Sequence, residues 1–226
     1  MNKTLKRTLY LLFGILILAV GLGLVFNGQI KNELVRQNQT TGLHKITKDS
    51  VKKNSQKKGD FDFSKVKELG WQEVAQSRSN SKKNYGYGIG AIAIPSVSMY
   101  LPIEKGLSNT NMSIGGCTMR ADQVMGKGNY PLAGHYMTNN GILFSPLERT
   151  SIGDKVYLTD MSKVYEYQIT TKKIVDPTAV WLVDNTPNNV VTLISCADGG
   201  ARRWAVRGNL IGEAPANDSN LKIFGL

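Results

Sequence analysis

The sequence predicts an all-β fold with short helices, a closed barrel or a sandwich, preceded by a single N-terminal transmembrane helix. Three observations lead there. Short runs of β-branched or alternating residues, bounded by Gly, Pro, Asn and Asp, recur between Ile89 and Ile211. Six or more such runs with only scattered helical pattern make a closed or double-layered sheet of about 150 residues. Ahead of them, Thr8 to Ile30 holds no ionisable residue except Tyr10, and its apolar part runs from Leu9 to Phe26.

Residues 1–30 are expected to form a cytoplasmic basic tip and a membrane anchor. Lys3, Lys6 and Arg7 precede the apolar run. At about 1.5 Å per residue that run gives roughly 27 Å, close to the ~30 Å hydrocarbon core. The leading positive charges keep the N-terminus cytoplasmic and the rest of the chain outside. A cleaved signal peptide is the competing reading, but the run is too long for one and Gly21-Leu-Gly23 is a poor cleavage site. Residues 31–58 are rich in Lys, Asn, Gln, Thr and Ser, so a basic extracytoplasmic stalk is expected, unable to bury enough surface to offset its ordering entropy. Residues 59–226 hold the folded domain. From Asp60, apolar residues at 63, 66, 69, 71 and 74 behind acidic ones predict a short amphipathic helix. After the polar spacer Ser77 to Asn84 come the strand runs Ile89–Ile94, Met99–Ile103, Lys155–Leu158, Val164–Thr170, Val190–Ile194 and Trp204–Ile211.

Charge and composition exclude several functions. The chain carries 28 Lys and Arg against 17 Asp and Glu, net +11, and residues 1–58 alone hold eleven basic and two acidic side chains. The excess therefore lies outside the folded domain, and no nucleic-acid partner is expected. With two Cys and two His the chain lacks the four closely spaced ligands of a structural zinc site, and it has no phosphate-binding Gly-rich loop, so no metal or cofactor is expected.

What remains is a Cys–His pair, in which imidazole takes the thiol proton to give a nucleophilic thiolate. Cys196 ends Val190-Val-Thr-Leu-Ile-Ser-Cys196 and opens into Ala-Asp-Gly-Gly, where a strand positions a group that a loop exposes. His135, in Pro131-Leu-Ala-Gly-His-Tyr-Met137, stands at a similar transition. Cys117 competes as the reactive thiol or as a disulfide partner of Cys196. The bland alternative is that all three are structural.

Thr192-Leu-Ile-Ser-Cys196, Leu132-Ala-Gly-His135 and Arg203-Trp-Ala-Val-Arg-Gly resemble the three signature blocks of sortase transpeptidases, and the resemblance covers Gly88 to Glu213. The N-terminal anchor, with no second apolar span near Leu226, is similar to the class A, housekeeping group. The resemblance implies a closed eight-stranded barrel facing the cell wall. Its substrates would be surface proteins bearing a C-terminal Leu-Pro-x-Thr-Gly motif. Cys196 would attack the Thr carbonyl and release the Gly-leading fragment, and the amine of a peptidoglycan precursor would resolve the thioacyl-enzyme. His135 would serve as general acid and base, and Arg203 would donate to the substrate backbone or the oxyanion. Arg202 and Arg207 compete with Arg203, but successive strand residues face opposite sides, and alignment on Trp-Ala-Val-Arg-Gly favours Arg203. Asp198 reads as a loop-capping residue.

By the same resemblance, Asp176-Pro-Thr-Ala-Val-Trp-Leu-Val-Asp184 forms part of the substrate groove, with Pro177, Val180, Leu182 and Val183 as apolar walls and Ala133 and Ile194 on the floor. Trp181 is expected either in the core or along the groove. Gly106-Leu-Ser-Asn-Thr-Asn111 and Asn185 stand where some relatives place calcium-binding carboxylates, which argues against a Ca²⁺ site here. Two rivals keep the fold and change the chemistry: a non-enzymatic, surface-tethered binding barrel, and a thiol protease with water as acceptor.

Overall fold

A computed structural model of the protein describes residues 3–67, 69–82, 88–137 and 141–226. Helix α1 (Lys3–Val25) contains a 20-residue segment, Lys6–Val25, of mean hydropathy 2.5, long and apolar enough to cross a membrane, and none of it is buried in the protein. Helical hydrogen bonds continue through Phe26 into α2 (Asn27–His44), with Phe26 N–H to Leu22 O and Ile30 N–H to Phe26 O both at 2.9 Å. Thr47 caps α3 (Lys48–Ser55) by accepting from Ser50 N–H, the reciprocal arrangement that satisfies two otherwise unpaired amides.

These helices correct the expected stalk. Composition over 31–58 is polar, but its few apolar residues are turned inward: Val35 and Leu43 on α2, Ile46 in the connection and Val51 on α3 are all buried. Polar side chains join in. Asn38 donates to Ser77 Oγ at 2.7 Å, Asn54 donates to Gly88 O at 3.1 Å, and Gln39 donates to Tyr100 O at 3.2 Å. These four apolar residues suffice because a folded barrel already offers the complementary surface.

The single amphipathic helix expected from Asp60 is instead broken. Asp62 caps a one-turn 3-10 helix, Phe63–Lys65, the chain extends at Val66, and α4 (Trp71–Lys82) begins after Gly70. Asp62 closes the short turn onto Ser64, and Glu73 accepts from Gly70 N–H at 3.1 Å, so each start signal is answered locally. Leu69 and Val74 enter the main core.

The domain proper is a closed eight-stranded barrel: β1 (Gly88–Ile94), β2 (Met99–Glu104), β3 (Gly116–Thr118), β4 (Asn129–Ala133), β5 (Lys155–Thr159), β6 (Lys163–Val175), β7 (Val190–Ala197) and β8 (Arg202–Pro215), in the order β1-β2-β3-β4-β7-β8-β6-β5. Pairing is parallel for β2/β3 and β4/β7 and antiparallel elsewhere. Closure leaves no unpaired sheet edge. All six expected strand runs are present. Alternation divides the barrel wall: Leu132, Leu193 and Val206 point into the main core, while Ala133, Ile194, Ala205 and Cys117 point outward into a second apolar cluster with Leu107, Met112, Met119 and Leu182.

Candidate active site

The register around β7 decides which side chains meet. Ile194 faces Ala133 on parallel β4, and Gly134 N–H continues the ladder to Ile194 O at 3.1 Å. β4 ends at Ala133, so His135 follows two residues past the last paired position, as Cys196 follows two residues past Ile194 on β7. On the other side Cys196 pairs with Arg203 of β8, and Ala197 pairs with Arg202. Cys196 and Arg203 therefore face each other across β7 and β8, and by strand alternation Arg202 takes the opposite face.

Local contacts hold this corner. Ser195 Oγ donates to Gly134 O at 2.9 Å and Phe144 N–H donates to His135 O at 3.0 Å. A side chain at position 134 would run into the buried Phe144 ring, so the approach that brings His135 over β7 requires glycine there. His135 is only 7 % exposed, and its Nε2 has no hydrogen-bond partner among the described residues. Burial pushes its pKa down to about 4, against a weaker upward pull from Glu73 on α4. The imidazole is therefore neutral at neutral pH and can accept a thiol proton.

The Arg203 guanidinium donates to Gly200 O at 2.7 Å and Arg202 O at 2.9 Å, lying over the loop at the site's edge. Arg202 is instead paired with Asp198, which accounts for that carboxylate without a catalytic role. Arg207, two residues along the face of Arg203, donates to Thr192 Oγ1 at 3.1 Å, and burial lowers its pKa. Cys117 is fully buried opposite Ala133, and burial raises its pKa well above the ordinary thiol range. It lies two strands and two residues from Cys196, about 12 Å by strand geometry and beyond disulfide reach, and both cysteines are free.

Beside Arg203 opens a cavity of about 380 Å³ whose lining includes Pro177, Val180, Leu182, Val183 and Ile194. Ala133 differs: at 2 % exposure it lies beneath Ile194 and Leu182 as support. Trp181 also differs, standing 58 % exposed on the outer side of the Val180–Val183 turn. The wall bearing that turn is clamped. Asn129, 1 % exposed, donates through Nδ2 to Leu182 O and Asp184 O, both at 2.8 Å, and accepts from Thr192 Oγ1 at 2.7 Å. Arg120 donates to Val183 O at 3.1 Å while paired with Asp122.

Sequence reasoning missed Asn129 and Arg120, and it missed Phe61, Phe63 and Met119 on the cavity's remaining sides. Phe63 belongs to the expected helical stripe; the Phe-x-Phe spacing beside Asp60 and Asp62 is the local signal for a turn.

Comparisons with known proteins match this architecture. The family model described as Sortase domain matches residues 92–211. The chain is 42 % identical over 195 residues to Sortase A of Listeria monocytogenes, covering 85 % of this chain and 84 % of that one. It is 41 % identical over 223 residues to Sortase A of Streptococcus agalactiae, covering 93 % and 89 %. The solved structure of the Listeria monocytogenes enzyme superposes with a TM-score of 0.60, covering 62 % of this chain and 98 % of that one. The site geometry, the closed barrel and these similarities agree: the chain belongs to the sortase family, as a cysteine transpeptidase of the class A type.

Proposed function

We propose that the protein cleaves a C-terminal Leu-Pro-x-Thr-Gly sorting signal between Thr and Gly and joins the new Thr carboxyl end to a peptidoglycan amine. What supports this reading is the pairing of Cys196 with Arg203, with His135 following the neighbouring strand β4, next to an apolar cavity that Arg203 lines and whose wall Asn129 clamps. Neutral His135 takes the Cys196 proton as sulfur attacks the Thr carbonyl carbon. Arg203 swings from its loop carbonyls to donate to the developing oxyanion. The C–N bond breaks as His135 returns the proton to the departing Gly amine, leaving a thioester on Cys196. An incoming amine then loses a proton to His135, attacks the thioester and frees the thiolate. Pro177, Val180, Leu182, Val183 and Ile194 receive the Leu-Pro portion. The basic tip places the N-terminus in the cytoplasm, with α1 as the single pass and the barrel facing the wall.

The test is mass spectrometry of the full chain in lipid nanodiscs, incubated with a Leu-Pro-x-Thr-Gly peptide with and without an oligoglycine amine, beside a Cys196→Ala control. A thioacyl adduct on Cys196 and an amine-dependent ligated product are expected. Hydrolysed product alone would favour the thiol protease, and absence of any adduct would favour the binding barrel.

A further inference from the structure

We propose that Trp71 seats the start of α4 in the polar interface of the membrane that α1 spans, and so holds the active-site side of the barrel at a set height above the bilayer. The inference rests on α1 being a membrane span and not on the identity of the substrate.

Twenty helical residues from Lys6 to Val25 measure about 30 Å, the thickness of the hydrocarbon core, so the turn from Phe26 to Ile30 emerges among the head groups. Trp71 is bound to that turn: its indole N–H donates to Asn27 Oδ1 at 2.7 Å. Lys31 Nζ adds a second tie, donating to Leu69 O at 3.3 Å. These contacts span 44 and 38 residues of sequence and bring the chain leading into α4 back to the end of the span.

The side chains around this point suit an interface. Phe26, Ile30 and Trp71 are 47 %, 45 % and 42 % exposed, an apolar patch beside the Lys31 ammonium. An indole combines an apolar ring with one polar edge, which is why Trp concentrates at the boundary between hydrocarbon and water. Above the patch the connection has no slack. Val35, eight residues after Asn27, is already fully buried against the barrel, so about 12 Å of helix separates the membrane edge from the folded domain. A flexible 28-residue stalk would instead let the barrel wander over roughly 30 Å. The chain leading into α4 reaches the site: Phe61 and Phe63, ahead of Trp71, line the cavity together with Arg203, and Val74 on α4 is in the core. The active-site edge is thus tied through α4 to the bilayer surface, and the enzyme acts on bonds presented close to the membrane.

The test uses the full chain in nanodiscs with Trp181→Phe and Trp204→Phe, leaving Trp71 as the one indole. Lipids brominated near the head-group end of the acyl chain should quench its emission about twofold relative to plain lipids, as for an interfacial indole, and adding Asn27→Ala should lessen the quenching. Equal emission in brominated and plain lipids would overturn the proposal. A second measurement leaves the wild-type sequence intact. With fluorine-labelled tryptophan, the NMR signal assigned by its loss in Trp71→Phe should broaden beside a head-group nitroxide lipid, and an unbroadened signal would again overturn it.

Discussion

Acidification from pH 7.5 to 4 should cost the protein stability through His135, and the amount follows from its environment. The ring is 7 % exposed with Nε2 unpartnered among the described residues, and burial takes its pKa from the ordinary 6.5 to about 4. Above pH 6.5 the imidazole is neutral in both the folded and the unfolded chain and adds no pH dependence. Between 6.5 and 4 the unfolded chain takes up a proton that the folded one refuses, so stability falls as pH falls. Below 4 both are charged and the slope vanishes. A gap of about 2.5 units, at 1.36 kcal/mol per unit, makes the loss about 3 kcal/mol by pH 4. Carboxylates titrate over part of the same range, so the measurement is a difference: denaturant unfolding of wild type and His135→Gln at several pH values. Wild type should lose about 3 kcal/mol more than the variant across the window. Curves parallel to within about 0.5 kcal/mol would refute the reasoning, because the folded imidazole would then titrate as it does in water.

Three further outcomes follow from the site. Asn129→Ala strands the Asp184 carbonyl and the Thr192 hydroxyl proton and leaves Leu182 O with only a 3.5 Å bond from Arg207; it should cost about 2–4 kcal/mol in denaturant unfolding and raise KM for a sorting peptide as the groove wall loosens. Arg203→Ala should lower kcat/KM by about a hundredfold or more, as loss of an oxyanion donor does, while Arg202→Ala on the opposite face stays within about threefold; the reverse ranking in peptide kinetics would mean that the strand register is wrong. Phe63→Ala removes a 45 % exposed ring from the cavity's rim and should raise KM about threefold to tenfold with kcat little changed, whereas a fall in KM would identify the ring as an obstruction.

The legibility of the fold varied by element for identifiable reasons. The six runs read as strands are four residues or longer, β-branched or alternating, and bounded by turn residues. The two missed strands lack that signal. β3 is three residues, Gly116–Thr118, and β4, Asn129–Ala133, carries no β-branched residue. Here β4 supplies a partner strand on which His135 depends. The expected stalk failed for a different reason. Composition measures how much apolar surface a segment has, whereas docking depends on where it lies, and Val35, Leu43 and Val51 on the two helices and Ile46 between them are all turned inward.

At the site, sequence singled out Cys196 and His135 because residue scarcity left few alternatives, and strand alternation separated Arg202 from Arg203. The cavity-lining residues Pro177, Val180, Leu182, Val183 and Ile194 came from family resemblance, while Asn129, Arg120 and Phe63 were invisible because their roles exist only through contacts with chain tens of residues away. The sequence by itself determined the apolar span, the strand-rich domain and the chemical groups available, since these depend on local pattern and on residue type. Only the tertiary structure decided that Cys196 pairs with Arg203, that Cys117 is sealed in the apolar cluster, and that the basic segment is docked helix. Those outcomes depend on strand order and register, which bring together residues that no local periodicity connects.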